Sequence, residues 1–208
     1  MVENEPNSFP MWIIPFGLVI LLVMCVLVPL GGAYNDLVAK DMTVEYTKAS
    51  VQTALERRAD LIPNLVATIE GSAEFEKGTL VEVTAMRNQA MQIKETLKSE
   101  QSVDELQESQ EELGVIIGRL MVVYEQYPTL QTTQSFRELQ AQLVATENQI
   151  NGERNNYNAA VMKYKSTTRS FPTIVIARIF GFDEDAWTMF ETYPGKADVP
   201  VVDFNTCG

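Results

Sequence analysis

The chain has 208 residues, 46% of them hydrophobic, a formal net charge of −12 and a pI near 4.5. That apolar share suffices for a packed core in one domain with an appendage, while the acidic balance argues against nucleic acid, whose phosphates reward Lys and Arg, and against attraction to anionic headgroups. Histidine is absent, which removes the commonest general base and transition-metal ligand together, and Cys25 and Cys207 make neither a metal motif nor a disulfide framework.

The first element is MWIIPFGLVILLVMCVLVPL, residues 11–30, which contains no charge. Twenty helical residues at about 1.5 Å each cover roughly 30 Å, the thickness of a bilayer core. We read it as a transmembrane anchor, with Trp12 at the interface and Ile13, Leu21 and Leu27 in its body. A cleaved signal peptide ending at Gly31-Gly32-Ala33 is the competing reading, but residues 1–10 form a short acidic tail with Glu3, Glu5 and no Lys or Arg. Lys40, Lys48, Arg57 and Arg58 follow the span, so the positive-inside rule places the C-terminal domain in the cytoplasm, below a cytoplasmic (inner) membrane.

Residues 33–191 read as an all-α, antiparallel long-helix bundle. From Ile62 the stripe Val66, Ile69, Ala73, Leu80, Val83, Ala90 and Leu97 recurs at helical spacing. A weaker stripe through Leu37, Val44, Val51 and Leu55 precedes it. Between the two lies RRADLIPNLVATIEG, residues 57–71. Pro63 costs about 3 kcal/mol inside a helix and little in a first turn. Asp60 suits an N-cap, and Arg57 and Arg58 suit a last turn. Together with Asn64 these residues predict a helix corner near residue 59.

Later boundaries carry similar marks. Ser102 and Glu105 form a capping box for a helix ended by Tyr127-Pro128, and Ser135 with Glu138 offers a second box. The helix that follows uses Phe136, Leu139, Leu143, Ile150, Tyr157, Val161 and Tyr164, until Ser170-Phe171-Pro172 breaks it. A short helix spans Ile174 to Phe180 before Gly181, Asp183 caps another containing Trp187 and Phe190, and residues 192–208 form an extended tail.

AYNDLVAKD, RRADLIPNLVATIEG with EFEKGTLVEVTAMRNQA, ENQINGERNNYNAAVMKYKSTTRSFP and a later Gly181-Phe182…Phe190-Glu191 together resemble the LemA family over roughly residues 33–205. The matching positions are Tyr34, Asn35, Arg58, Asp60, Leu61, Pro63, Asn64, Leu65, Glu147, Asn148, Ile150, Tyr157, Asn158, Tyr164, Phe171 and Pro172. The resemblance implies an N-terminal membrane helix followed by a helical bundle, and no established catalytic activity. Thr43-Val44-Glu45-Tyr46 and Lys165 depart from the family pattern.

Four groups of residues have the composition for chemistry or contact. Asn148, Asn151, Asn155 and Asn158 line one helix face, either as a polar seam that sets helix register or as a ligand or subunit surface. Asp104, Glu108 and Glu112 stack at i, i+4 spacing within an acidic run, which reads as a solvated face rather than a cation site. Arg58 with Asp60, and Glu147 with Arg154, are candidate buried pairs. Aromatic residues concentrate between Tyr157 and Phe190, as core packing or, where uncovered, as an apolar patch. No nucleophile elbow or phosphate-cradling loop is recognisable.

The sequence therefore predicts no catalytic, cofactor or metal site. The expected function is a single-pass scaffold or assembly component of a bacterial cell envelope. It contacts membrane lipid through residues 11–30, forms a homo-oligomer, binds an envelope protein partner and does not bind nucleic acid. The alternative is an adaptor or regulatory subunit of a membrane protease or envelope-stress pathway, and an enzyme ranks last.

Overall fold

The computed structural model describes residues 13–72, 77–99, 102–127 and 133–191. These residues form five helices and, among them, no strand: α1 (Ile13–Ser72), α2 (Lys77–Leu97), α3 (Val103–Gln126), α4 (Gln134–Arg169) and α5 (Thr173–Phe180). The all-helical architecture matches the sequence expectation of a bundle. The tails at residues 1–10 and 192–208 lie outside the described residues.

The predicted corner near residue 59 does not exist. Helix α1 runs unbroken through Arg57, Arg58, Asp60, Pro63 and Asn64 to Ser72. The reason lies in its buried face. Leu37, Val44, Val51, Arg58 and Leu65 recur at steps of seven, as do Leu55, Ile62 and Ile69, and all are buried. Neither series changes phase at Pro63, so the same face of α1 stays buried on both sides of the proline. Ile62, Leu65, Val66 and Ile69, each at most 0% exposed, contribute about 1.5–3 kcal/mol apiece when buried. Their sum exceeds the roughly 3 kcal/mol that an interior proline costs.

Helix α1 ends at Ser72 and α2 begins at Lys77. Helix α2 returns antiparallel along α1, joined by Glu70 with Thr84 (3.5 Å), Asp60 with Lys94, and the Gln52 amide with the Leu97 carbonyl. Helix α3 then antiparallels α2, with Arg119 on Glu82 at 3.0 Å and Tyr127 on Thr79 at 3.3 Å. Tyr124 stacks on Phe136 of α4 with centroids 4.0 Å apart.

Local signals act as expected at four boundaries. Ser102 and Glu105 complete a reciprocal capping box at the start of α3, which ends at Gln126 before Tyr127. Helix α4 ends at Arg169. Gly181, at φ 78, closes α5 in the left-handed conformation, and the Phe182 N–H returns to the Ala177 carbonyl at 2.9 Å. The second expected box is displaced. Helix α4 starts at Gln134, so Ser135 lies inside its first turn, and Glu138 accepts from the Gln134 amide at 2.8 Å.

The helix expected after Asp183 is absent. The Asp183 carboxylate accepts the Asp185 N–H at 3.0 Å and its carbonyl accepts the Ala186 N–H at 3.3 Å, giving a turn. The backbone groups that would continue a helix from there are instead bonded to side chains of α4, as described below.

The chain divides into two compact units, Met1–Tyr46 with Ala160–Trp187 and Thr47–Ala159 with Thr188–Gly208. In the first, Tyr34 packs against Phe180 (4.8 Å) and Phe182 (6.0 Å), the Trp187 indole donates to Asp41 at 2.8 Å, and Tyr164 donates to the Asp183 carbonyl at 3.0 Å. Among the described residues no helix is long and apolar enough to cross a membrane. Of the four anchor positions, Trp12 lies outside the described residues, as do the side chains of Ile13 and Leu27, while Leu21 is 70% exposed.

Candidate functional site

The second unit buries two arginines. Helix α4 presents Leu143, Thr146, Ile150, Arg154 and Tyr157 to the core, again at three- and four-residue steps. Facing them, Arg58 projects from the buried seam of α1. Its guanidinium pairs with Glu147, whose other oxygen accepts the Asn151 amide at 3.4 Å. The Arg58 side chain is 11% exposed and Glu147 38%, so the pair is closed on the arginine side and open on the carboxylate side. The Arg58 Nε is buried without a hydrogen-bond partner among the described residues.

Both predicted pairings are therefore corrected. Arg58 turns to Glu147 rather than Asp60, and Asp60, exposed, turns to Lys94 of α2. On one continuous helix, positions 58 and 60 project about 200° apart and cannot face each other. Arg57 is exposed and donates to Gln149 at 3.2 Å. Pro63 is half-buried, and exposed Asn64 offers its carbonyl to Thr68 at 2.9 Å.

Arg154 bonds elsewhere as well. It donates to the buried Gln110 amide oxygen of α3 at 3.0 Å and to the Glu191 carbonyl at 2.6 Å, and it lies 5.0 Å from the Phe190 ring centroid. Cation–π attraction adds to those charge-assisted bonds. One turn on, Tyr157 donates to the Thr188 carbonyl at 2.8 Å and meets Phe190 edge-on at 5.2 Å. Burial pushes the Tyr157 phenol up to about 12, since phenolate is disfavoured away from water. Asn158 accepts the Phe190 N–H at 2.9 Å and donates to the Phe190 carbonyl at 3.1 Å. Arg154, Tyr157 and Asn158 thus strap residues 188–191 along α4.

Of the expected asparagine seam, Asn158 alone joins this strap. Asn148, Asn151 and Asn155 are exposed, and Asn151 bonds within its own helix. Sequence reasoning named Arg154 but missed its partner Gln110. A buried glutamine on α3 has no local marker, whereas the i, i+3, i+4 grouping of Arg154, Tyr157 and Asn158 was legible.

An open groove of about 650 Å³ lies over the pair, lined by Arg58, Gln110, Glu147 and Glu191 among others. Amides, carboxylates and a guanidinium equip it for hydrogen bonding and charge pairing. A second, acidic groove of about 900 Å³ lies between α2 and α3, with Glu105, Glu108, Glu111 and Glu112 on its wall and Ile93 and Ile116 on its floor. Asp104, Glu108 and Glu112 are exposed, and among the described residues no group of three or more His, Cys, Asp or Glu is placed to hold a metal ion.

Fold and site together define a long-helix bundle protein whose buried polar side chains join helices and fasten a return segment. The LemA family pattern matches residues 47–204, and the chain belongs to the LemA family. It is similar to magnetosome protein MamQ 2 of Paramagnetospirillum magneticum, 23% identical over 202 residues that cover 88% of this chain and 73% of the relative. Protein LemA of Metamycoplasma hominis is 24% identical over 149 residues, 71% of this chain and 64% of the relative. Magnetosome protein MamQ of Magnetospirillum gryphiswaldense is 32% identical over a shorter stretch of 89 residues, 43% of this chain and 32% of the relative.

Proposed function

We propose that the chain is a single-pass, membrane-anchored scaffold or assembly component of the cell envelope, acting as a homo-oligomer or with an envelope protein partner. The observation that carries this reading is the length of α1. One helix, Ile13–Ser72, contains the uncharged sequence up to Leu30 and continues as a central element of the bundle. Leu18, Ile20, Leu21, Met24 and Val28 are more than half exposed along its first part, an arrangement that suits lipid better than water. The inner membrane with a cytoplasmic bundle is the placement that Lys40, Lys48, Arg57 and Arg58 favour. Confinement to a membrane raises effective concentration and so promotes assembly.

The test is purification in mild detergent at native expression, with mass measured by light scattering and bound proteins identified. Oligomers or a stoichiometric partner are expected. A strict monomer with nothing bound would remove the assembly reading, and release of the protein by alkaline carbonate without detergent would remove the anchor.

The acidic groove between α2 and α3 supports a second reading, an adaptor that binds a basic segment of a membrane protease or envelope-stress component. In that case Glu108→Lys with Glu112→Lys would abolish partner recovery while leaving self-association intact.

A further inference from the structure

We propose that α5 and the residue pair before it form a second membrane contact, with Phe171, Val175 and Ile179 entering the boundary between headgroups and acyl chains. This inference rests on the anchor reading above.

Thr173, Ile176 and Ala177 are the buried side of α5. On the other side Phe171 is 86% exposed, Ile179 69%, Phe180 59% and Val175 42%. Val175 and Ile179 lie one step of four apart on the same face of α5, and Phe171, just ahead of the helix, adds a third exposed apolar side chain. A ridge of this kind marks an interaction surface.

Position selects the occupant. Phe180 and Phe182 pack on Tyr34, and Tyr34 lies four residues beyond Leu30, the end of the uncharged run. Four helical residues rise about 6 Å, and the interfacial layer beyond each face of the hydrocarbon core is roughly 5–7 Å deep. The chain then climbs away from that level, since Trp187 reaches Asp41, seven residues further along α1. The Phe180 end of α5 is held at the level of Tyr34, on the side of this climb that faces the uncharged run. An amphipathic helix at that depth lies in the interface with its apolar ridge down.

Charge decides how it is held. Arg169 is paired with Glu184 and Lys165 with Asp185 at 3.6 Å, so these cations are matched locally. Arg178 is exposed between Val175 and Ile179, where its stem can lie along the apolar ridge while its head reaches water. With a whole-chain charge of −12, apolar insertion rather than attraction to anionic lipid drives the contact.

The experiment uses the full chain with Cys25→Ser and Cys207→Ser, carrying one fluorophore at Phe171→Cys, Ile179→Cys or, as the anchor control, Leu21→Cys. Each is reconstituted in phosphatidylcholine vesicles with and without phosphatidylglycerol. Quenching is read from lipids brominated near the headgroup, from lipids brominated deep in the acyl chain as the reporter for Leu21, and from aqueous iodide. Labels at 171 and 179 should be quenched by the shallow brominated lipid, shielded from iodide, and insensitive to phosphatidylglycerol. If the label at Leu21 is quenched while those at 171 and 179 stay open to iodide, the proposal fails and the anchor stands. An unquenched label at Leu21 overturns the anchor and this contact with it. Shielding at 171 and 179 that grows with protein density, without lipid quenching, assigns the ridge to a second copy and overturns the lipid contact.

Discussion

Asn158 holds Phe190 by both edges of its amide, accepting the backbone N–H at 2.9 Å and donating to the carbonyl at 3.1 Å. A side chain that satisfies both backbone groups of one residue acts as one rung of a sheet would, and it does so from a helix. With the Tyr157 and Arg154 bonds to Thr188 and Glu191, it explains why residues 188–191 follow α4 in place of forming a helix of their own.

Replacing Asn158 with Ala removes two hydrogen bonds and leaves the Phe190 backbone groups to find others, which should cost about 1–3 kcal/mol. Asn155→Ala, at an exposed position on the same helix, should cost less than about 0.5 kcal/mol. Urea unfolding followed by circular dichroism compares them. Equal effects would show that the strap contributes nothing particular.

Glu147→Ala strands the Arg58 guanidinium in a nearly closed site. Because Glu147 is 38% exposed, a loss of about 1–3 kcal/mol is expected, below that of a fully buried pair. Adding Arg58→Met should recover much of it, since a stem of similar volume fills the seam without a charge. A double-mutant cycle in denaturant measures the coupling, and additive losses would mean that the pair is not an energetic unit.

Pro63→Ala discriminates directly between one helix and two. Within the continuous helix α1 the substitution restores a backbone bond and relieves a clash, so stability should rise by as much as about 3 kcal/mol. At the first turn of a separate helix the same change would be near neutral. The shift in urea midpoint reads out the difference.

Tyr157 makes stability fall at alkaline pH. Its folded-state phenol is pushed from an ordinary 10.0 up to about 12 by burial. Below pH 10 both states keep the proton and the contribution is complete. Between about 10 and 12 the unfolded chain releases a proton that the folded chain retains, so unfolding gains. Tyr157→Phe should flatten that decline, although it starts from a lower stability because the Thr188 bond is lost. Tyrosinate absorbance against pH, taken with denaturant midpoints, checks both parts.

Helix type and most helix ends were legible in the residues themselves. Apolar steps of three, four and seven belong to helices, and the Ser102–Glu105 box, Tyr127-Pro128, Ser170-Phe171-Pro172 and Gly181 act through neighbours a few positions away. Such short-range interactions are complete within the local sequence. The step-of-seven series through Leu37, Val44, Val51 and Leu65 was present too, but Arg58 stood at the position that would have connected it.

Tertiary structure alone decided what happens at Pro63, at Arg58 and at residues 188–191. A proline's local cost is about 3 kcal/mol, and whether a helix bears it depends on how much apolar surface that helix buries against its neighbours. A buried guanidinium takes whichever carboxylate the packed helices bring to it, here Glu147 from 89 positions away. Backbone groups after Asp183 were free to make a helix until α4 offered them better-placed side chains. The sequence states which segments are helical, and only packing, which sums many distant contacts, selects where the chain turns and which polar groups meet.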